Sequence, residues 1–150
     1  MKIRRANKED VIAIVAMLAN DALGEQREDY KLPLPDSYYR AFHKIDSDPN
    51  QELMVAENKE GIVIGTLQLS LIPYLTYKGG LRAQIEAVRI HENYRGKGLG
   101  KKLFLWAIER AKEKNAHVVQ LTTDKKRPKA LRFYESLGFK GTHEGMKLHI

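Results

Sequence analysis

The chain has 150 residues, 43% of them hydrophobic and 30% charged, enough for one domain with its own core and no need of covalent or metal staples. It has no cysteine, which excludes a disulfide framework, a thiolate metal site and a cysteine nucleophile; its five histidines (His43, His91, His117, His143, His149) lack metal-ligand spacing, so no metal site is expected. The net charge of +7 is unevenly placed: residues 1–88 hold 11 Lys+Arg against 13 Asp+Glu, and residues 89–150 hold 15 against 6. A polyanionic ligand, nucleic acid or a small polyphosphate, is therefore expected to meet the C-terminal part.

In chain order, Met1 to Arg5 predicts a short strand and Lys8 to about Leu23 a helix, with Val11, Ile14, Val15, Leu18 and Leu23 facing a core. Lys2, Arg4 and Arg5 before the apolar run 11–19 mimic a signal peptide. Glu9 and Asp10 interrupt that pattern, Asn7-x-x-Asp10 reads as a helix cap, and the run is too short to span a bilayer, so a buried helix of a cytoplasmic protein is expected. Gly24 ends this helix; Glu25 to Asp36, with Pro33 and Pro35, reads as a loop, and Ser37 to Ile45 as a second helix. Strands are expected over Glu52 to Asn58 and Ile62 to Ile72, joined by Lys59-Glu60-Gly61, and after a Gly79-Gly80 turn over Leu81 to Ile90. A long amphipathic helix runs from about Gly98 to Lys114, with Gly100, Leu103, Phe104, Ala107, Ile108 and Ala111 on one face. His117 to Leu121 predicts a short strand, Pro128 to Gly138 a last helix, and Phe139 to Ile150 one or two further strands. The order β-α-α-β-β-β-α-β-α-β predicts an α/β sandwich around one mixed sheet, a single domain over 1–150.

The stretch Tyr94-Arg-Gly-Lys-Gly-Leu-Gly-Lys-Lys-Leu103 places three glycines at alternate positions between a strand and a helix. A helix N-terminus presents unpaired N–H groups and the positive end of the macrodipole, so bare backbone there suits an anion. Two common phosphate motifs fail on spacing. A Walker A loop needs Gly five positions before Gly100-Lys101 and Ser or Thr after, where Arg95 and Lys102 stand; the dinucleotide fingerprint lacks its third glycine.

What remains, Arg95-Gly-Lys-Gly98-Leu-Gly100, resembles the Gln/Arg-x-x-Gly-x-Gly/Ala signature of the GNAT superfamily of acyl-CoA-dependent N-acyltransferases, between the strand Ile85-Glu-Ala-Val-Arg-Ile90 and the next helix. Ala130-Leu-Arg-Phe-Tyr134-Glu-Ser-Leu-Gly138-Phe139 resembles the family's second motif, although Arg127 stands where members commonly carry Asn, which puts that residue's usual contact to the pantetheine or thiol region in question. The resemblance implies a mixed, mainly antiparallel sheet with helices on both faces, acetyl-CoA as co-substrate, and transfer of an acetyl group to a primary amine on a small molecule or peptide. It implies that the amides of Gly96, Lys97, Gly98, Leu99, Gly100 and Lys101 hold the coenzyme pyrophosphate, with Val88 and Ile90 beside the pantetheine. Arg95, Lys97, Lys101 and Lys102 could add charge-assisted contacts or form a solvated basic face. Homodimers are common in the family.

Glu86 is the expected general base: strand alternation would set it on the face of Val88 and Ile90, an apolar neighbourhood in which a carboxylate is a stronger base. A strand glutamate paired with Arg82 or Arg89 is the other reading. Tyr134 is the expected acid for the leaving thiolate, against the reading of a core tyrosine beside Phe133 and Leu137. With no cysteine, no cysteinyl acyl-enzyme can form, so direct transfer in a ternary complex is expected. By the same resemblance Tyr30, Tyr38, Tyr39, Phe42, Tyr74 and Tyr77 would line the acceptor site, and Glu25, Glu28, Asp29 and Asp36 would suit a cationic acceptor or belong to a solvated loop. A catalytically silent acyl-CoA sensor is the alternative, and nucleic-acid binding through Lys125-Lys126-Arg127-Pro-Lys129 ranks last, since no recognised nucleic-acid motif accompanies it.

Overall fold

A computed structural model describes residues 1–21 and 23–150. Strand β1, Lys2–Arg5, leads into a helical turn capped at Asn7: its Oδ1 accepts from the Asp10 N–H at 3.2 Å, while Asp10 Oδ2 accepts from the Asn7 N–H at 2.8 Å. Arg4 donates to both Asp10 oxygens at 2.7 and 3.0 Å, so the cap also fastens β1 to helix α1, Val11–Ala19. The helix ends before the expected Leu23, a stretch that includes Ala22, outside the described residues. At its end the Asp21 side chain accepts from the Leu23 and Gly24 N–H groups at 3.0 and 2.7 Å, a local bonding pattern that competes with helix.

Helix α2 spans Asp36–Ser47, two residues longer at its C-terminus than expected. Strands β2, Gln51–Glu57, and β3, Val63–Pro73, form the expected hairpin, with Gly61 left-handed at φ 78°. A tight turn, α3 (Thr76–Gly79), left-handed at Tyr77, Lys78 and Gly79 (φ 53°, 61° and 76°), then reverses the chain into β4, Leu81–Ile90. Helix α4, Leu99–Glu113, strand β5, Val118–Gln120, and helix α5, Pro128–Ser136, complete the regular elements.

The sheet order is β1-β2-β3-β4-β5, antiparallel up to β4 and parallel between β4 and β5. The expected strand in Phe139 to Ile150 is absent among the described residues. Gly141 and Gly145 break its alternating pattern, and Met146 and Leu148 stay 93% and 90% exposed.

Two apolar clusters sandwich the sheet. On one face Leu67, Leu69, Ala83 and Ile85 pack against Leu103, Phe104, Ala107 and Ala111 of α4, and α5 closes over them through Phe133 and Tyr134. Each fully buried leucine there contributes roughly 2 kcal/mol of transfer free energy. A carboxylate also lies under this helix: Glu52 is buried but grips Arg110 through Nε at 2.8 Å and Nη2 at 2.7 Å, and Arg110 holds it below the usual carboxylate range against the opposing effect of burial. On the other face Val11, Ile14 and Val15 of α1 and Phe42 of α2 cover Val55 and Val63.

Two irregularities in β4 open a cleft in the sheet. Thr66 faces Arg89 and Gln68 faces Glu86, so Ala87 and Val88 together oppose the single residue Leu67; Ala87 takes φ +52°, a conformation an L-residue adopts at a cost. The parallel pairing of β4 with β5 comprises only Arg82 with Val118, Ala83 with Val119 and Gln84 with Gln120. Beyond that rung no ladder joins the two strands, which leaves an open cleft edge along β4 from Ile85 to Ile90.

Candidate active site

The loop at the wide end of the cleft folds because glycine stands where a side chain would be strained. Gly96 and Gly98 are left-handed at φ 74° and 75°, with nothing within 4 Å of where a Cβ would stand, and Gly98 caps α4. The N–H groups of residues 96 to 101 donate to no acceptor among the described residues; the first loop–helix bond runs from the Lys102 N–H to the Gly98 carbonyl at 3.2 Å. Six consecutive unpaired donors thus stand at the positive end of a 15-residue helix, an electrostatic setting that suits an anion. A diphosphate such as that of coenzyme A fits this donor set, because open space faces both left-handed glycines.

Two of the expected basic contacts are otherwise engaged. Arg95 donates from Nε to the Ile90 carbonyl at 3.1 Å and from Nη2 to the Asn20 carbonyl at 2.9 Å, bracing the loop against the end of α1. Lys97 donates to the Asn93 carbonyl at 3.0 Å and lies over the Tyr94 ring at 5.2 Å. Lys101 and Lys102 are exposed in the first turn of α4, with no acceptor among the described residues. Val88 and Ile90 are half-buried beside the α4 cluster, on the wall of the cleft.

Glu86 departs from its expected setting. The bulge shifts the alternation by one residue, so Val88 and Ile90 share the α4 side with Ala83 and Ile85, while Glu86 lies on the opposite face and is exposed. Neither Arg82 nor Arg89 pairs with it. Its partner is Gln84, which donates from Nε2 to Glu86 Oε1 at 2.8 Å. Nothing in the sequence marked this, because alanine carries no preference for the conformation at Ala87.

Tyr134 is half-buried in α5, its ring 5.4 Å from Phe104 and 5.7 Å from Phe133. Burial pushes its hydroxyl above the ordinary tyrosine value, and the positive charges of Arg127 and Arg89 pull the other way. The group thus remains a proton donor at neutral pH.

Arg127, in the place of the family's Asn, has a partner of its own. Its Nη2 donates to Asp21 Oδ2 at 2.8 Å, and Arg89 Nε stands 3.1 Å from the same oxygen without hydrogen-bond alignment. This cluster ties α1, β4 and α5 together beside Tyr134, through residues too distant in the chain for spacing to connect them. Burial opposes ionisation of Asp21, but the Gly24 N–H and the two guanidiniums outweigh it and hold its pKa at about 2, against an ordinary 3.8. A depressed carboxylate stabilises the fold above its unfolded pKa and loses that contribution as pH falls through the folded one. Asp21→Asn should therefore lower the melting temperature at pH 7 and narrow its difference from wild type between pH 4 and pH 2, as followed by calorimetry.

The aromatics expected at the acceptor site divide. Phe42 is buried in the core under α2, with Tyr38 and Tyr39 beside it; Tyr38 donates to Glu28 Oε2 at 3.0 Å. Tyr30 is exposed on the loop before α2. Tyr77 stacks on His117 at 4.6 Å, and Tyr74 hydrogen-bonds the same imidazole and carries Arg82 over its ring at 4.5 Å, so this group closes the narrow end of the sheet. Of the expected acids, Glu28 is taken by Tyr38, Asp29 pairs with Lys31 and Asp36 opens α2. A concavity of about 450 Å³ is lined by Lys126, Arg127, Pro128, Lys129 and Ala130 at the start of α5.

A glycine cradle at a helix N-terminus, beside a strand bulged and split from its parallel neighbour, defines the class of protein. A family profile described as the acetyltransferase (GNAT) family matches residues 19–139, and the chain belongs to that family. It is 28% identical over 142 residues to an aminoalkylphosphonate N-acetyltransferase of Salmonella typhimurium, a match covering 95% of this chain and 86% of the relative. It is 34% identical over 90 residues to a glucosamine 6-phosphate N-acetyltransferase of Trypanosoma brucei brucei; that match spans 60% of this chain and 59% of the relative. Among solved structures, one described as a transcriptional regulator from Bacillus halodurans C-125 superposes with a TM-score of 0.95 at 56% identity, covering 99% of each chain. The chain is an acetyltransferase by family, and no helix among its described residues is long and apolar enough to cross a membrane.

Proposed function

We propose that the chain transfers the acetyl group of acetyl-CoA to a primary amine by direct attack within a ternary complex. The observation that carries this reading is the row of six unpaired amides, 96 to 101, at the wide end of the cleft that runs past Glu86. Two relatives whose names specify small amines, an amino sugar phosphate and an aminoalkylphosphonate, support a small-molecule acceptor.

In this scheme the amides hold the pyrophosphate, and the unpaired edge of β4 from Ile85 to Ile90 runs beside the pantetheine. Glu86 Oε2 takes a proton from the ammonium, directly or through water, and the freed lone pair bonds to the thioester carbonyl carbon. As the C–S bond breaks, the Tyr134 hydroxyl gives its proton to the leaving sulfur and recovers one from solvent. The nitrogen loses two protons and the sulfur gains one, so each turnover releases one proton.

Tyr134→Phe keeps the ring contacts with Phe104 and Phe133, so its melting temperature should stay within about 2 °C of wild type while kcat falls by about tenfold or more. The reading itself is tested by incubating the protein with acetyl-CoA and a panel of primary amines, with thiol release and acetylated product both followed. Product formed with saturable kinetics supports it; thiol release without any acetylated amine would sink it.

A second reading has two observations behind it. The neighbour from Bacillus halodurans is described as a transcriptional regulator, and residues 89–150 hold nine more positive than negative charges. DNA binding of that electrostatic kind should weaken steeply with salt in a gel-shift titration.

A further inference from the structure

At the apex of the cleft, where β4 and β5 share their last rung, the paired residues are Gln84 and Gln120. Gln120 donates from Nε2 to Gln84 Oε1 at 2.6 Å, and Gln84 donates from Nε2 to Glu86 Oε1 at 2.8 Å. The carboxylate sets the direction of this chain: its oxygens only accept, so the Gln84 amide must present its NH2 group to Glu86, the flipped orientation would set oxygen against oxygen, and the Gln84 oxygen is left to accept from Gln120. The neighbouring rungs continue the pattern. Ser70 stands opposite Gln84, Gln68 stands opposite Glu86, and both donate to Gln51 Oε1 on β2, at 2.6 and 2.9 Å. These polar side chains form one band across the half-exposed end of the sheet face that α1 and α2 leave open.

We propose that Gln84, braced by Gln120, is a positioning residue that holds one oxygen of the Glu86 carboxylate and leaves the other free toward the acceptor amine. This rests on the acetyl-transfer reading. The separation of β4 from β5 leaves Glu86 without a neighbour on β5, and its exposed side chain would otherwise sample several rotamers, few of them directed at the acceptor. A fixed amide donor costs little at an exposed site and selects one of them.

Gln84→Met preserves volume and removes both the donor and the acceptor. In the protein with an amine it acetylates, kcat should fall about tenfold while the KM for the amine and the Kd for acetyl-CoA change less than about twofold. Gln120→Met should cost about threefold, the double variant should be no slower than Gln84→Met, and Gln84→Met in a Glu86→Gln background should have no further effect, because the residues act in series through one carboxylate. Equal kcat in Gln84→Met and wild type, or a loss that persists in the Glu86→Gln background, would overturn the positioning role and leave acetyl transfer standing. Wild-type protein that acetylates no amine would overturn both. A general loss of folding would instead move the melting temperature and the coenzyme affinity together, which separates it from a positioning defect.

Discussion

Glu86→Gln should lower kcat by at least about 100-fold at neutral pH while the Kd for acetyl-CoA stays within about twofold. The side chain is exposed and contacts the rest of the protein through Gln84 alone among the described hydrogen bonds, so an amide of the same shape fits with little change in stability. What disappears is the capacity to take the ammonium proton. The variant should therefore regain activity as pH rises and supplies free amine, and its kcat/KM should climb with pH beyond the point where wild type levels off. Activity equal to wild type at pH 7 would remove Glu86 from the reaction. The bulge at Ala87 makes this the informative acid: it moves Val88 and Ile90 to the apolar α4 side and leaves the carboxylate by itself on the open face.

Gly98→Val should abolish measurable binding of acetyl-CoA in calorimetric titration, with at least about a 100-fold loss of affinity, where wild type binds about one equivalent. Gly98 is left-handed at φ 75°, a conformation that costs a β-branched residue about 2 kcal/mol or more. Relief of that strain would rotate the amides of 97 to 99 out of the cradle, and a retained backbone would put an isopropyl group into the open space in front of them. Gly61→Val supplies the control. Gly61 has nearly the same conformation, φ 78°, with open space around it in the β2–β3 turn, so its variant should lose comparable stability and keep the coenzyme. Loss of binding in both variants would assign the effect to stability. No binding by wild type would end the coenzyme reading and return attention to the basic charge of residues 89–150.

Much of the fold was legible in one dimension because it depends on neighbours in the chain. The cap at Asn7 and Asp10, the helix beginning after Gly98 and the helix opened by Pro128 arise from residues within a turn of each other. The cradle was legible for the same reason: three alternate glycines at a strand-to-helix junction leave amides unpaired whatever the rest of the chain does. The stretch 139 to 150, expected as one or two strands, has no ladder among the described residues, since pairing needs a partner strand that no local pattern supplies.

By itself, then, the sequence determined most of the elements, their order, the resemblance to the family and the glycine loop between β4 and α4, all products of local conformation and spacing. Only the tertiary structure decided which way Glu86 faces, what holds it, and what Arg127 meets in place of the family's Asn beside Tyr134. Those outcomes depend on a bulge at a residue with no turn preference, on the rung where β4 and β5 part, and on Asp21 meeting Arg89 and Arg127 across as many as 106 positions of chain. Contacts between residues so far apart are chosen by the packing of the whole domain, and no window of sequence contains both partners.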